Sequence, residues 1–215
     1  MNLILLGFPG SGKGTQAKAI SGRLGLVHIS TGDIFREEIS RKSPLGLEVS
    51  GYISSGKLVP DLVVLKLVRS RIATETKGLL FDGFPRTVEQ AQGLDDFFAT
   101  REQRVDAVLF LHVEENEVVK RLAARRSCAK CGKIYNTITA PPARENVCDV
   151  CQGGLILRND DMPEVIKQRL MVYKDLTEPL LAYYRGNGIF HEIKGDSSPD
   201  AITENALAVL KTWSK

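Results

Sequence analysis

Gly7-Phe8-Pro9-Gly10-Ser11-Gly12-Lys13-Gly14-Thr15-Gln16 follows a short apolar run, Leu3-Ile4-Leu5-Leu6, and its pattern predicts a helix opening after Gly12. A glycine-rich turn from strand to helix that ends in lysine is suited to holding phosphate. Gly7, Gly10, Gly12 and Gly14 can reach backbone angles that a side chain forbids, so successive N–H groups can converge on oxyanions at the helix N-terminus. Lys13 adds a mobile point charge for the outer phosphates. The general phosphate-loop pattern places Ser or Thr directly after the lysine, whereas here Gly14 intervenes and the hydroxyl arrives at Thr15. A glycine-rich turn without a ligand would not account for strand, loop and lysine occurring together.

The chain around this loop has 215 residues, which favours one main domain with insertions. A net charge of +3 with 26% charged residues suits a soluble globular protein and argues against a basic nucleic-acid-binding exterior. Electrostatic function must then be local. The first apolar run is too short for a signal-peptide core, and no stretch approaches the roughly 20 apolar residues of a membrane span. A cytoplasmic protein with no membrane partner is expected.

Leu3–Leu6, Leu26–Ile29, Leu79–Phe81, Ala107–Val113 and Ile189–Ile193 read as strands. Amphipathic stretches separate them, so a five-stranded parallel α/β sheet flanked by helices is expected. Helices are predicted after Gly12, Thr31, Asp61, Thr87, Glu114, Asp161 and Pro199. Asp161-Met162-Pro163-Glu164 reads as an N-cap, an early proline and a capping glutamate. Two stretches break the alternation: residues 30–59, helical but punctuated by Gly46, Gly51, Gly56 and then Pro60, and residues 127–160, rich in turn formers and cysteine. His28, His112 and His191 lie in or beside apolar strand segments and read as packed or edge histidines rather than catalytic ones.

All four cysteines fall in two pairs, Cys128/Cys131 and Cys148/Cys151, with sixteen residues between the pairs. Two such turns can place four thiolates tetrahedrally around Zn²⁺, and Gly132, Gly153 and Gly154 let backbone N–H groups turn back toward sulfur. Four protein ligands leave no open position, so the ion is expected to be structural. A zinc ribbon flanked by Lys120, Arg121, Arg125, Arg126, Lys130 and Lys133 could also suit nucleic acid. Only Tyr135 offers an aromatic platform there, which argues against that reading.

With the phosphate loop, Ser30-Thr31-Gly32-Asp33, Asp82-Gly83-Phe84-Pro85-Arg86 and Arg158-Asn159-Asp160-Asp161 occur in this order. Through these motifs the chain resembles the adenylate kinases of the long-lid bacterial type over essentially its full length. The resemblance implies a P-loop NTPase-type core (residues 1–29, 60–123 and 162–215), a helical AMP-binding insertion (30–59) and a zinc-binding lid (124–161). It implies Mg²⁺-dependent phosphoryl transfer from ATP to AMP giving two ADP, by a monomer that binds no nucleic acid. A GTP-using or other nucleoside monophosphate phosphotransferase stays open.

The resemblance also assigns residues. For ATP it implies Gly10, Ser11, Gly12, Lys13, Gly14, Thr15, Arg121, Arg125, Ile134, Tyr135 and Ser198. For AMP it implies Thr31 and Gln90 on the adenine, Arg36 and Arg86 on the phosphate, and Lys57, Leu58, Val59, Gly83, Phe84 and Pro85 around them. Arg158 and Arg169 would straddle the transferred group. Lys13, Arg86, Arg125, Arg158 and Arg169 form the implied catalytic set, with Asp82 orienting the water shell of magnesium and Thr15 joining that cluster. Arg121 and Arg125, four apart, are expected on one face of the helix after Glu114. Asp160 is implied in lid closure; for Asp161 a hinge role and a simple N-cap both stand.

Overall fold

The computed structural model describes residues 1–211; residues 212–215, the end of the expected core segment, lie outside the described residues. β1 (Asn2–Leu6) leads through the glycine loop into α1 (Lys13–Leu24) and β2 (Val27–Ser30). Next come α2 (Thr31–Ser40), α3 (Pro44–Ser54), α4 (Asp61–Ile72), β3 (Leu79–Asp82), α5 (Val88–Ala99), β4 (Ala107–His112) and α6 (Glu115–Ala123). A small unit holds β5 (Arg125–Cys128), β6 (Ile134–Asn136) and β7 (Leu155–Ile156). The chain finishes with α7 (Pro163–Val172), α8 (Pro179–Gly186), β8 (Phe190–Lys194) and α9 (Pro199–Lys211).

The main sheet is parallel, in the order β2-β3-β1-β4-β8. Its centre is apolar on both sides because β1 alternates its residues between two cores. Ile4 and Leu6 face one that takes Phe81, Val108 and Phe110 from neighbouring strands and Val68, Phe98 and Tyr184 from α4, α5 and α8. Leu3 and Leu5 face the other, built with Leu80 and Leu109 and closed by Ile20 of α1 and Leu207 of α9. A strand buried on both faces between helical layers is what a parallel sheet requires. The register pairs Leu5 with Asp82, which brings the exit of β1 beside the end of β3 at the carboxyl edge, where such sheets bind ligands.

All five expected core strands form, each within one residue of its expected limits. Other local expectations change. The second helix begins at Thr31 itself, because Ser30 is the N-cap and its hydroxyl accepts the Asp33 N–H at 3.3 Å. Asp161 is not the N-cap of α7; Met162 holds that position without a side-chain bond. The Asp161 carboxylate is instead taken by two arginines, and Asn159–Asp161 forms a 3₁₀ turn. α6 stops at Ala123, with Ala124 as its C-cap, so Arg125 lies on β5 and shares no helix face with Arg121. One further departure lies between α7 and α8, where Tyr173–Thr177 forms a π-helical turn. Lys174 of this turn reaches Glu115 at 2.6 Å, and the Thr177 hydroxyl donates to the Arg86 carbonyl at 2.9 Å.

Residues 30–59 form the hairpin of α2 and α3, and residues 125–156 contain the antiparallel sheet β6-β5-β7. Among the described residues, no helix is long and apolar enough to cross a membrane. The hairpin depends on close backbone approach: a Cβ on Gly46 would lie 2.1 Å from the Glu38 carbonyl oxygen. Backbone cannot rotate out of the way as a side chain can. Gly46→Ala is therefore expected to destabilise the protein by about 1–3 kcal/mol, the usual cost of overpacking, measured as a lowered urea midpoint with an unchanged slope.

Candidate functional site

The glycine loop turns on three left-handed residues, Gly7 (φ 145°), Gly10 (φ 90°) and Gly12 (φ 99°), the last being the N-cap of α1. A Cβ on Gly10 would lie 2.7 Å from Leu122 Cγ, so the loop is seated directly against α6. Gly14 is helical rather than left-handed. It contributes space: a Cβ there would already stand 3.4 Å from Asp82 Oδ2. Lys13 Nζ folds back over the loop and donates to the carbonyls of Gly7 (2.7 Å) and Phe8 (2.8 Å). Burial draws the Lys13 pKa down to about 7, Asp82 opposes this, and Arg86, Arg169 and Arg125 reinforce it.

A cleft of about 820 Å³ opens in front of the loop. Gly10 to Thr15 line one wall; Arg121, Arg125, Ile134, Tyr135 and Ser198 line others, as do Asp82, Pro85, Arg86, Arg158 and Arg169. A smaller recess of about 70 Å³ adjoins it, lined by Thr31, Arg36, Lys57, Leu58, Val59 and Gln90, with Gly83, Arg86 and Arg169 on the boundary. The structure thus brings together nearly every residue singled out from the sequence. Among the residues assigned to nucleotide binding or catalysis Phe84 is the exception, being fully buried against Phe81 and lining neither cavity. Among the described residues no histidine lines either cavity.

Five of these arginines are held by specific partners. Arg125 donates Nε to Asp161 Oδ2 (2.7 Å) and Nη2 to Asp161 Oδ1 (2.5 Å). Arg169 Nη1 donates to Asp161 Oδ1 (3.0 Å) and the Asp160 carbonyl (2.8 Å), and lies 3.2 Å from Asp160 Oδ2. Arg86 Nε donates to the Gly83 carbonyl (2.8 Å), and Arg36 pairs with Asp33 (2.5 Å). Arg121 donates to Glu117 (3.1 Å) and to the Gly195 carbonyl (3.0 Å).

The crowding of positive charge shows in the titration of these groups. Burial, then the neighbouring Arg169, lowers Arg86 to about 10. Burial, then Arg36 and Arg125, lowers Arg158 to about 10. Asp160 is pushed up by burial, yet Arg169, Arg125, Arg36 and Arg158 together hold it below the ordinary carboxylate range. Such a cleft favours a strongly anionic occupant, which would relieve both the desolvation and the mutual repulsion.

The sequence reading missed two neighbours of this site. His28 Nε2 lies 3.5 Å from Asp82 Oδ2, so this residue abuts the site rather than only packing in the sheet. Its position two residues before Ser30, on the strand beside β3, was the available signal. Asp61, read only as a helix start, accepts from Gln90 Nε2 at 2.7 Å. His112, by contrast, is an edge residue paired with Glu192 at 2.8 Å.

The four cysteine sulfurs lie within 4.8 Å of one another, with Cys128–Cys151 at 3.4 Å and Cys131–Cys148 at 3.6 Å. A tetrahedron of sulfurs about 2.3 Å from zinc has edges of about 3.8 Å, so the cluster has the dimensions for a metal. N–H groups of Lys130 and Cys131 point at Cys128 Sγ, both at 3.4 Å. The Gly132 N–H goes instead to the Cys128 carbonyl (3.0 Å). The Tyr135 hydroxyl donates to Cys148 Sγ (3.4 Å), and this bond is the main reason the Cys148 thiol falls to about 6. Tyr135 therefore commits its hydroxyl to the cluster while also lining the cleft.

A model of the adenylate kinase family matches residues 5–189. The chain is similar to the adenylate kinase of Clostridium tetani, at 44% identity over 212 residues and 98% of each chain. It is likewise similar to that of Archaeoglobus fulgidus, at 44% over 213 residues, and that of Clostridium botulinum, at 45% over 212 residues, again with 98% of each chain covered.

The state of Lys13 gives a pH-dependent test of anion binding. With a pKa of about 7 the free lysine is largely neutral at pH 8, and phosphate oxygens beside it favour the charged form. Binding a nucleoside triphosphate as its Mg²⁺ complex, whose terminal phosphate is already ionised over this range, is expected to take up close to one proton at pH 8 and close to none at pH 6, where Lys13 is already charged. Calorimetric titration in two buffers of different ionisation enthalpy measures this.

Proposed function

The chain belongs to the adenylate kinase family and is an ATP:AMP phosphotransferase, and on that premise we propose how its residues divide the work of the reaction. The observation that carries the division is the placement of two anion-friendly compartments side by side, sharing Arg86 and Arg169 on their common boundary. ATP places its phosphates against the loop from Gly10 to Thr15, under Lys13. AMP enters the recess of Thr31, Arg36 and Gln90 and turns its phosphate toward Arg36 and Arg86. The oxygen of AMP then faces the terminal phosphate of ATP across the boundary, with Arg125, Arg158 and Arg169 around the migrating group.

The acceptor is a phosphate oxygen that is already anionic near neutral pH, so the reaction needs no strong general base. What it needs is neutralisation and alignment of several negative charges. Planar guanidinium groups that grip two oxygens at once supply this, and they stay charged even where burial depresses them to about 10. Asp82 and Thr15 fit a hard-oxygen site for the water shell of Mg²⁺, which when bound with ATP supplies charge neutralisation across its phosphates. Residues 30–59 and 124–161 act as mobile segments that close over the nucleotides, and closure excludes the water that would otherwise hydrolyse ATP. Zn²⁺ on Cys128, Cys131, Cys148 and Cys151 braces the second segment without touching substrate. The enzyme works as a cytoplasmic monomer.

Arg86→Ala and Lys13→Ala are each expected to lower ADP formation from ATP and AMP roughly a hundredfold or more, with little change in melting temperature. Near-native turnover in either would overturn the role given to that residue. Freshly purified protein is expected to carry one zinc per chain. Its removal by chelator should lower the melting temperature more than it lowers turnover at low temperature, and the absence of zinc by elemental analysis would refute the bracing role.

A further inference from the structure

The recess beside Arg86 has its hydrogen-bonding polarity set by backbone groups on its rim and by one carboxylate, that of Asp61, which does not line it. Gln90 is 1% exposed, and both ends of its amide are taken: Oε1 accepts the Arg86 N–H at 2.9 Å, and Nε2 donates to Asp61 Oδ1 at 2.7 Å. A backbone N–H can only donate and a carboxylate can only accept. Flipping the amide would set donor against donor and oxygen against oxygen, so its orientation is fixed. One lone pair on Oε1 and one N–H on Nε2 remain for a ligand, in a fixed spatial order. Thr31 is constrained in the same way, because its hydroxyl donates to the Gly83 carbonyl at 2.9 Å. Toward the recess Thr31 can only accept.

An adenine edge carries an exocyclic amino donor beside a ring-nitrogen acceptor, which matches an acceptor-rich wall with one N–H. A 6-oxopurine puts an acceptor where the amino group was and, on one side, a ring N–H where the acceptor was. It would need the amide reversed, and otherwise leaves buried polar groups facing like partners, a strong basis for discrimination. We propose that Asp61 is a specificity-determining residue: by holding Gln90 Nε2 it fixes the order of donor and acceptor shown to the base, so that adenine is taken and a 6-oxopurine is refused. This rests on the reading that Gln90 meets the base of the acceptor nucleotide. Asp61 lines neither cavity and acts through Gln90. It also stands in the first turn of α4, where a carboxylate favours the helix dipole. That purely structural role would affect all acceptors alike.

The test is the ratio of kcat/KM for AMP to that for IMP, which differ only in the purine edge, with ATP as donor. Asp61→Leu is expected to narrow this ratio roughly tenfold, the effect of losing one charge-assisted hydrogen bond. Asp61→Asn, whose carbonyl can still accept from Nε2, should stay within about threefold of the parent. Should Asp61→Leu fail to fold in a melting scan, Asp61→Ala takes its place. A Leu or Ala variant that lowers both kcat/KM values equally and leaves the ratio unchanged overturns the proposal, as does an Asn variant that narrows it as far as Leu does. Gln90→Leu separates the underlying reading. If it collapses the ratio while the Asp61 variants do not, Gln90 reads the base without Asp61. If it leaves the ratio unchanged, the base reading fails and the proposal fails with it.

Discussion

The carboxylate of Asp161, with none of its side chain exposed, grips Arg125 from the small antiparallel sheet and Arg169 from α7 at once. The cleft depends on this bracket. Lys13, Arg86, Arg125, Arg158 and Arg169 are among the cationic residues that line one cavity, and like charges brought together out of water oppose one another strongly. Asp161 and Asp160 neutralise part of that charge, and they do so from the 3₁₀ turn that separates β7 from α7. Removing a buried partner of this kind would leave two guanidinium groups desolvated and less compensated, usually a cost of several kcal/mol. The bracket also sets geometry, since a bidentate grip fixes the plane of the Arg125 fork.

The core was legible in the sequence because each of its signals is local. Leu3 to Leu6 announces a strand buried on both faces, and the glycines after it announce a turn that only glycine can make. Thr87, after which a helix is expected, is likewise read from its immediate neighbours and is the N-cap of α5. What stayed hidden depends on residues far apart in the chain. Asp61 and Gln90 meet across 29 positions, Arg125 and Asp161 across 36. Asp161 looks like an N-cap because Pro163 and Glu164 come after it; nothing nearby reveals that two arginines claim its oxygens. The shared helix face of Arg121 and Arg125 failed for a related reason. Periodicity has no marker for the point where β5 pairs with β6 and β7 and draws the chain out of the helix.

The π-helical turn at Tyr173–Thr177 was also beyond local reading, and its consequence is long-range. It places Tyr173 against Phe8 of the glycine loop, ring centroids 4.3 Å apart, and brings Thr177 to the Arg86 carbonyl. A regular helix of the same length would rotate one of these contacts away, since inserting a residue into the turn rotates the next stretch of helix by about 100°. The turn therefore joins α7, which carries Arg169, to both the loop and the strand-end segment that carries Arg86.

The small sheet poses a different physical problem. β5, β6 and β7 have four, three and two residues, and their shared core consists of Cys128, Tyr135 and Cys148 with Cys151 and Leu155 against it. Strands this short over so few apolar side chains do not hold together by burial alone. The cysteines compensate if their sulfurs share a metal, because the binding free energy then becomes folding free energy. Tyr135 ties that brace to the cleft: its hydroxyl sits on Cys148 and accepts the Asp149 N–H at 2.8 Å, while the same residue lines the wall facing the glycine loop. Arg125, on the neighbouring strand β5, reaches Asp161. A rigid sheet therefore transmits its position to the arginine bracket through a few fixed bonds, and a loosened sheet would let Arg125 drift from the plane in which Asp161 holds it.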